Sequence, residues 1–85
     1  MKYLSETIEL MNSENYDDRL KAEYEQLEIR TQGLAKMLVG YRDGTLSFTP
    51  KCSYDMLNGQ LKAMQLYSEY LQDRAEIEGI DLYSL

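Results

Sequence analysis

An all-α fold, an antiparallel helical hairpin preceded by a short N-terminal helix, is what this sequence predicts. Three observations carry that expectation. Leu20, Tyr24, Leu27, Thr31, Leu34, Leu38 and Tyr41 are spaced alternately by four and three, the seam of a helix packed on another at a shallow angle. A second long segment carries Leu57, Leu61, Met64, Leu71 and Ala75 along one face. Between the two lies Gly44-Thr45-Leu46-Ser47-Phe48-Thr49-Pro50, where Pro50 drives Thr49 toward an extended conformation and breaks the helix.

The elements follow in order. Leu4, Ile8, Leu10 and Met11 form a short amphipathic stretch, expected as a helix over about 5–12 with Ser5 as its cap and Asn12-Ser13 at its end. So short a helix is unstable alone, and it must dock on its own hairpin or on a neighbouring subunit. The first long helix is expected over about 16–41. Asn15 can cap it, Asp17 and Asp18 suit the positive end of its dipole, and Gly40 and Gly44 mark where it frays or stops. In the link, Leu46 and Phe48 fold back onto the helix ends. The second long helix, about 54–78, opens at a Ser53 cap followed by Asp55. Gly79 ends it, with Ile80 placed to close the cap by an apolar contact. There is no internal repeat, low-complexity tract or linker, so residues 1–85 read as a single domain.

At 85 residues the chain buries only roughly 60–65% of its unfolded surface, which leaves it marginal alone and makes a homo-oligomer expected. Cys52 is the only cysteine and histidine is absent, so neither an internal disulfide nor a zinc site is available. Cys52 reads as a half-buried thiol without a chemical role, in a protein of a reducing cytoplasm. No apolar run approaches the ~20 residues that span a bilayer, and the first residues lack the apolar core of a signal peptide.

Fifteen acidic against nine basic residues give a net charge of −6, which opposes non-specific attraction to nucleic acid and to anionic membranes. Duplex DNA is a poor candidate partner on that ground, and neither duplex nucleic acid nor membrane is expected as one. Residues 1–32 hold four basic and eight acidic side chains, residues 33–65 four and two, and residues 66–85 one and five. A chain folded back at its middle therefore has a basic turn end and an acidic open end. An anionic ligand must then find a local pocket of arginine, lysine and backbone donors.

Catalytic signatures are missing. There is no glycine-rich phosphate loop, no nucleophile elbow and no metal-ligand pair, and the neighbouring acids Asp17 and Asp18, or Glu76 and Glu78, point to different sides of a helix. A binding protein without metal or cofactor is expected. Eight tyrosines without a tryptophan are more than a two-helix core requires. Tyr24 and Tyr41 sit on the seam. Tyr54, Tyr67 and Tyr70 spread over a wider stripe and imply a second contact surface, toward another subunit or an aromatic ligand. Arg74 shares a side with Gln60, Tyr67 and Leu71. It pairs either with an acid, Glu78 or Glu23, or with a phosphate that its fork can grip. Arg19 and Arg30 raise the same question on the first helix.

The stretch from Gln60 to Arg74, read as Q-L-x-A-M-x-x-Y-x-x-x-L-x-x-R, resembles the second helix of the hairpin shared by phage anti-CBASS and anti-Thoeris sponge proteins. A longer pattern joins Tyr16-x-x-Arg19-x-x-Ala22-Glu23-Tyr24-x-Gln26-Leu27-x-Ile29-Arg30, then Phe48-Thr49-Pro50-x-Cys52, then Arg74-Ala75-x-Ile77-Glu78-Gly79. It resembles small helical proteins of crAss-like and Firmicute phages. The resemblance implies a protein made in the cytoplasm of an infected bacterium, an oligomer, often a hexamer, that holds a cyclic nucleotide immune messenger between protomers without cleaving it. On matching positions it implies that Gln60, Met64, Tyr67 and Arg74 line ligand pockets or subunit contacts. Tyr16, Arg19 and Arg30 are the candidate ligand residues of the first helix. The chain departs from the sponges in its acidity, in lacking the β domain of the anti-Thoeris type, and in its longer interhelical link. A protein-binding acidic module that inhibits a host protein is the alternative expectation, with a plain assembly factor behind it and an enzyme last.

Overall fold

A computed structural model describes residues 3–83; residues 1, 2, 84 and 85, which the sequence reading included in its single domain, lie outside the described residues. The chain is all helical among the described residues. A 3-10 turn at Leu4–Thr7 leads into α1 (Ile8–Met11), followed by α2 (Tyr16–Asp43) and α3 (Tyr54–Glu78). α2 and α3 form the antiparallel hairpin, and α1 packs on α2.

Local chemistry sets the ends. Asn15 Oδ1 accepts from the Asp17 backbone N–H at 2.9 Å, and Ser53 Oγ accepts from that of Met56 at 3.1 Å, each satisfying a donor that the first turn leaves orphaned. Gly44 and Gly79 close the C-termini at φ 74° and 71°, a left-handed conformation that a Cβ disfavours. After Gly79 the Ile80 N–H returns to the Ala75 carbonyl at 2.8 Å, and its side chain packs on the core.

Gly40 does not fray the helix; α2 continues to Asp43. A Cβ on Gly40 would lie 2.8 Å from Leu46 Cδ2, so this glycine makes room for the link to fold back through Leu46. Phe48 was expected to fold back too and instead stays 55% exposed. The short N-terminal element departs from expectation in a similar way. No side-chain hydrogen bond caps it, and Leu4, Ile8 and Met11 remain exposed. Thr7 is what docks: it has no exposed surface, donates to the Leu4 carbonyl, and accepts from Gln26 Nε2 of α2.

The main core gathers at the open end of the hairpin, where Leu20, Tyr24 and Leu27 of α2 meet Leu71 and Ala75 of α3, with Met64 and Ile80 packed against them. Leu82, beyond the helix, completes this cluster at 2% exposure, and Tyr83 sets its ring edge-on to Tyr24 at 5.9 Å. Toward the turn Leu57, Leu61 and Leu34 are only half-buried. There Tyr41 and Tyr54 pack edge-on at 5.7 Å, so Tyr54 belongs to the hairpin's own packing and not to a second surface. Cys52 is exposed, not half-buried, because it lies in the link outside the seam.

Burial, reinforced by the Glu28 carboxylate, pushes the Tyr24 hydroxyl from its ordinary 10.0 up to about 12. The folded state thus favours neutral Tyr24. That stabilisation is whole below pH 10, tyrosine's ordinary value, and disappears as pH rises through about 12. Urea midpoints should fall across this window, with Tyr24 contributing on the order of 2 kcal/mol. The Tyr24→Phe variant should lose that part of the slope, and an equally steep fall in the variant would assign the alkaline transition elsewhere.

Candidate functional site

At about 100° per helical residue, Tyr16, Arg19, Glu23 and Arg30 of α2 fall along one edge of its seam. On α3, Gln60, Tyr67 and Arg74 recur every seven residues along the facing edge. Closing the seam places these two rows side by side, running in opposite directions.

Arg74 Nη2 donates to Tyr16 Oη at 2.7 Å, and Tyr16 Oη donates on to Glu78 Oε2 at 3.2 Å. One heptad further along each helix, Tyr67 Oη donates to the Glu23 carboxylate. The same register, extended by a further heptad, sets Arg30 level with Gln60. Arg19 donates from Nη1 to the Ser13 carbonyl at 2.8 Å, and its guanidinium lies 6.0 Å from the centroid of the Tyr16 ring, within cation–π range. Tyr16 thus has one guanidinium at its ring and another at its hydroxyl.

Four candidates, Tyr16, Arg19, Tyr67 and Arg74, share one solvent-open strip, in which Tyr16 and Tyr67 are 41% and 44% exposed. Gln60 and Arg30 are exposed in the next layer toward the turn. Met64 is turned in to pack on the core, and its sulfur accepts from Gln60 Nε2 at 3.8 Å. The expected acid partner of Arg74 is replaced: its hydrogen bond goes to a neutral phenol, with Glu78 one step beyond. Sequence reasoning weighed Glu23 and Glu78 only as arginine partners and missed them as tyrosine acceptors. The antiparallel register, which pairs residues 58 and 44 positions apart, was the missing information.

The electrostatics of the strip follow from these contacts. The hydrogen bond to Glu23, with desolvation behind it, raises the Tyr67 hydroxyl above its ordinary value, because ionising it would set two anions together. The hydrogen bond to Tyr16 raises Arg74 and keeps it a cation. Two guanidinia and two phenols with two carboxylates make a strip that can grip an anion and stack on a flat ring. Among the described residues no group of three His, Cys, Asp or Glu is placed to hold a metal ion, and no helix is long and apolar enough to cross a membrane.

A separate concavity of about 550 Å³ lies at the turn end, walled by Gly33, Met37, Val39, Leu46 and Phe48, with Lys36 beside it. Its wall is almost wholly apolar, and none of the candidate ligand residues reaches it.

The Tyr67–Glu23 contact is directly testable. In Glu23→Gln the Tyr67 hydroxyl should titrate at lower pH than in the parent, followed by NMR of the tyrosine ring carbons. An unmoved titration would show that the two side chains do not meet.

Residues 14–77, spanning all seven candidates and most of the chain, match the family model described as Sequestin. No curated protein and no solved structure matches the chain.

Proposed function

The chain belongs to the Sequestin family, and from that premise we propose that it is a phage anti-defence sponge: a homo-oligomer that binds a cyclic nucleotide immune messenger in the cytoplasm of the infected bacterium and keeps it from its effector without cleaving it. The ligand class is a cyclic di- or trinucleotide or a cyclic ADP-ribose isomer. The family's description supports sequestration of a small molecule, and the resemblance of the Gln60–Arg74 stretch to phage sponge helices supports the choice of messenger.

The observation that carries this reading is the pairing of Arg74 with Tyr16. A guanidinium whose hydrogen bond rests on a neutral hydroxyl can exchange it for a phosphate oxygen at a gain, since the phosphate adds the attraction of opposite charges and can be held by two parallel N–H donors. Arg19 offers a second cation at the same ring, and Tyr16 and Tyr67 offer flat faces for bases. Arg30 and Gln60 extend the strip by one layer, and Met64 supports it from the core. Sequestration needs no proton transfer, so a strip without histidine suffices. The acids of the open end discourage polyanions such as duplex nucleic acid, while a compact ligand with one or two phosphates can sit on the arginines, with Glu23 and Glu78 each held by a tyrosine hydroxyl.

Calorimetry against cyclic di- and trinucleotides and cyclic ADP-ribose isomers, followed by mass spectrometry of the recovered ligand, tests the proposal. One of them should bind at micromolar protein or below and return intact; silence across the panel would end this reading. Arg74→Ala should weaken that binding at least tenfold, the loss of one charge-assisted hydrogen bond being about 1.5–3 kcal/mol. The variant should still fold, because Arg74 is exposed. An unchanged affinity removes Arg74 from the site.

A further inference from the structure

α2 carries a second row besides its seam with α3. Ala22, Gln26, Ile29, Gly33, Lys36 and Gly40 follow one another by steps of four and three, the spacing that keeps residues turned toward one partner helix. At about 100° per residue the row is turned roughly 140° from Leu27, Leu34 and Leu38 of the seam. The chain covers both ends of this row itself. Ala22 is 1% exposed, and Gln26 Nε2 donates to Thr7 Oγ1 and to Met11 Sδ of the N-terminal element. At the far end Leu46 fills the space over Gly40. Between the two covers, no atom comes within 4 Å of the place a Cβ on Gly33 would occupy. The concavity of about 550 Å³ opens there and runs to Leu46 and the exposed Phe48. Glycine inside a helix is weaker than alanine, and the fold makes no use of the room this one leaves.

We propose that this vacancy is the docking groove for a short, acidic, amphipathic helix of a partner protein, which continues along α2 the row of contacts that α1 begins and Leu46 ends. The inference stands apart from the sponge reading, since none of the candidate ligand residues lines the concavity.

Length, shape and charge select that occupant. Gln26 and Gly40 stand roughly 21 Å apart along the axis, so a helix lying between the two covers has room for about fourteen residues. α2 and α3 of a second copy, with 28 and 25 residues, are too long to lie along it, and the four residues of α1 are too short to fill it. Gly33 lets a partner's backbone come close, while Met37, Leu46 and Phe48 wall the groove for apolar side chains spaced i, i+3 and i+7 on the partner. The charge is one-sided. No acid stands on α2 between Glu28, which accepts from Ser68 Oγ at 2.6 Å, and Asp43, which pairs with Arg42 at 3.3 Å. Arg30 and Lys36, three residues before and after Gly33, are exposed and turned about 60° from it in opposite senses, so a cation flanks the groove on each side. Lys51 is the one charged residue of the link. Such a groove attracts a helix with carboxylates beside its apolar row and repels one with lysines there.

A cross-linked helical peptide of about fourteen residues, with leucines at i, i+3, i+7 and i+10 and glutamates on both flanks of that row, tests the groove by fluorescence anisotropy at low salt. It should bind at micromolar protein, and at least tenfold more weakly once lysines replace the glutamates. Gly33→Leu, which fills the vacancy, and Phe48→Ser, which removes a wall, should each weaken the glutamate peptide at least tenfold. Lys36→Glu should weaken it too and strengthen the lysine peptide. Helicity by circular dichroism should be unchanged in all three variants, because the three positions are exposed. Absence of binding up to millimolar protein, equal binding of the two peptides, or binding indifferent to Gly33→Leu and Phe48→Ser would overturn the proposal. Sedimentation without peptide checks the occupant: the parent chain and Gly33→Leu should behave alike. Loss of self-association in Gly33→Leu would show that a second copy covers the groove and would overturn the partner helix.

Discussion

Burial of Leu71 between the helices is the contact on which the rest of the molecule depends. With no exposed surface, it sits in the cluster of Leu20, Tyr24, Leu27 and Ala75 and fixes α3 against α2 both in rotation and along the axis. Burying each such leucine contributes about 1.5–3 kcal/mol, and two helices alone offer few such positions. The chain therefore brings a third layer to the open end, where Leu82 closes over the seam. A slip of α3 by one residue would turn it by about 100°, exposing Leu71 and carrying Arg74 and Tyr67 away from α2. The polar strip is thus held in register by apolar contacts in which it has no part.

That dependence explains how a strongly acidic chain can present cations. The open end gathers most of the acids, yet the two that reach the strip, Glu23 and Glu78, accept hydrogen bonds from tyrosine hydroxyls. The phenols stand between carboxylate and guanidinium, so the positive charge of Arg74 is ordered without being neutralised by a direct ion pair. Had Arg74 bonded Glu78, an incoming phosphate would have to displace one anion with another at little gain. Displacing a phenol is the easier exchange. The tyrosine excess thus has one physical use inside the chain itself.

The sequence made the hairpin legible because both of its rules are local: a heptad row needs only spacing, and a cap needs only Asn15, Ser53 or Gly79 at a boundary. What stayed hidden was set by neighbours far along the chain. The stretch after Gly79 has no periodicity, so nothing marked Leu82 as core and Tyr83 as exposed. Phe48 and Leu46 look alike in sequence, and the space above Gly40 admits only Leu46. Thr7 was passed over beside Ile8 and Met11 because apolarity was taken as the mark of docking, whereas a hydroxyl with both a donor and an acceptor partner buries without penalty. The candidate ligand residues could be grouped by helix face, but the pairing of Arg74 with Tyr16 required the register.

For a sponge, affinity is only half of the requirement; the number of sites must also exceed the number of messenger molecules, since nothing is turned over. A short chain supplies many sites per unit of protein synthesised, but a short chain is also one that barely buries enough surface to fold. Self-association resolves that conflict if the surface that joins copies also builds the site. Ligand that binds only the assembled form then stabilises it in proportion to RT ln(1 + [L]/Kd), so that rising messenger recruits further copies into the form that captures it.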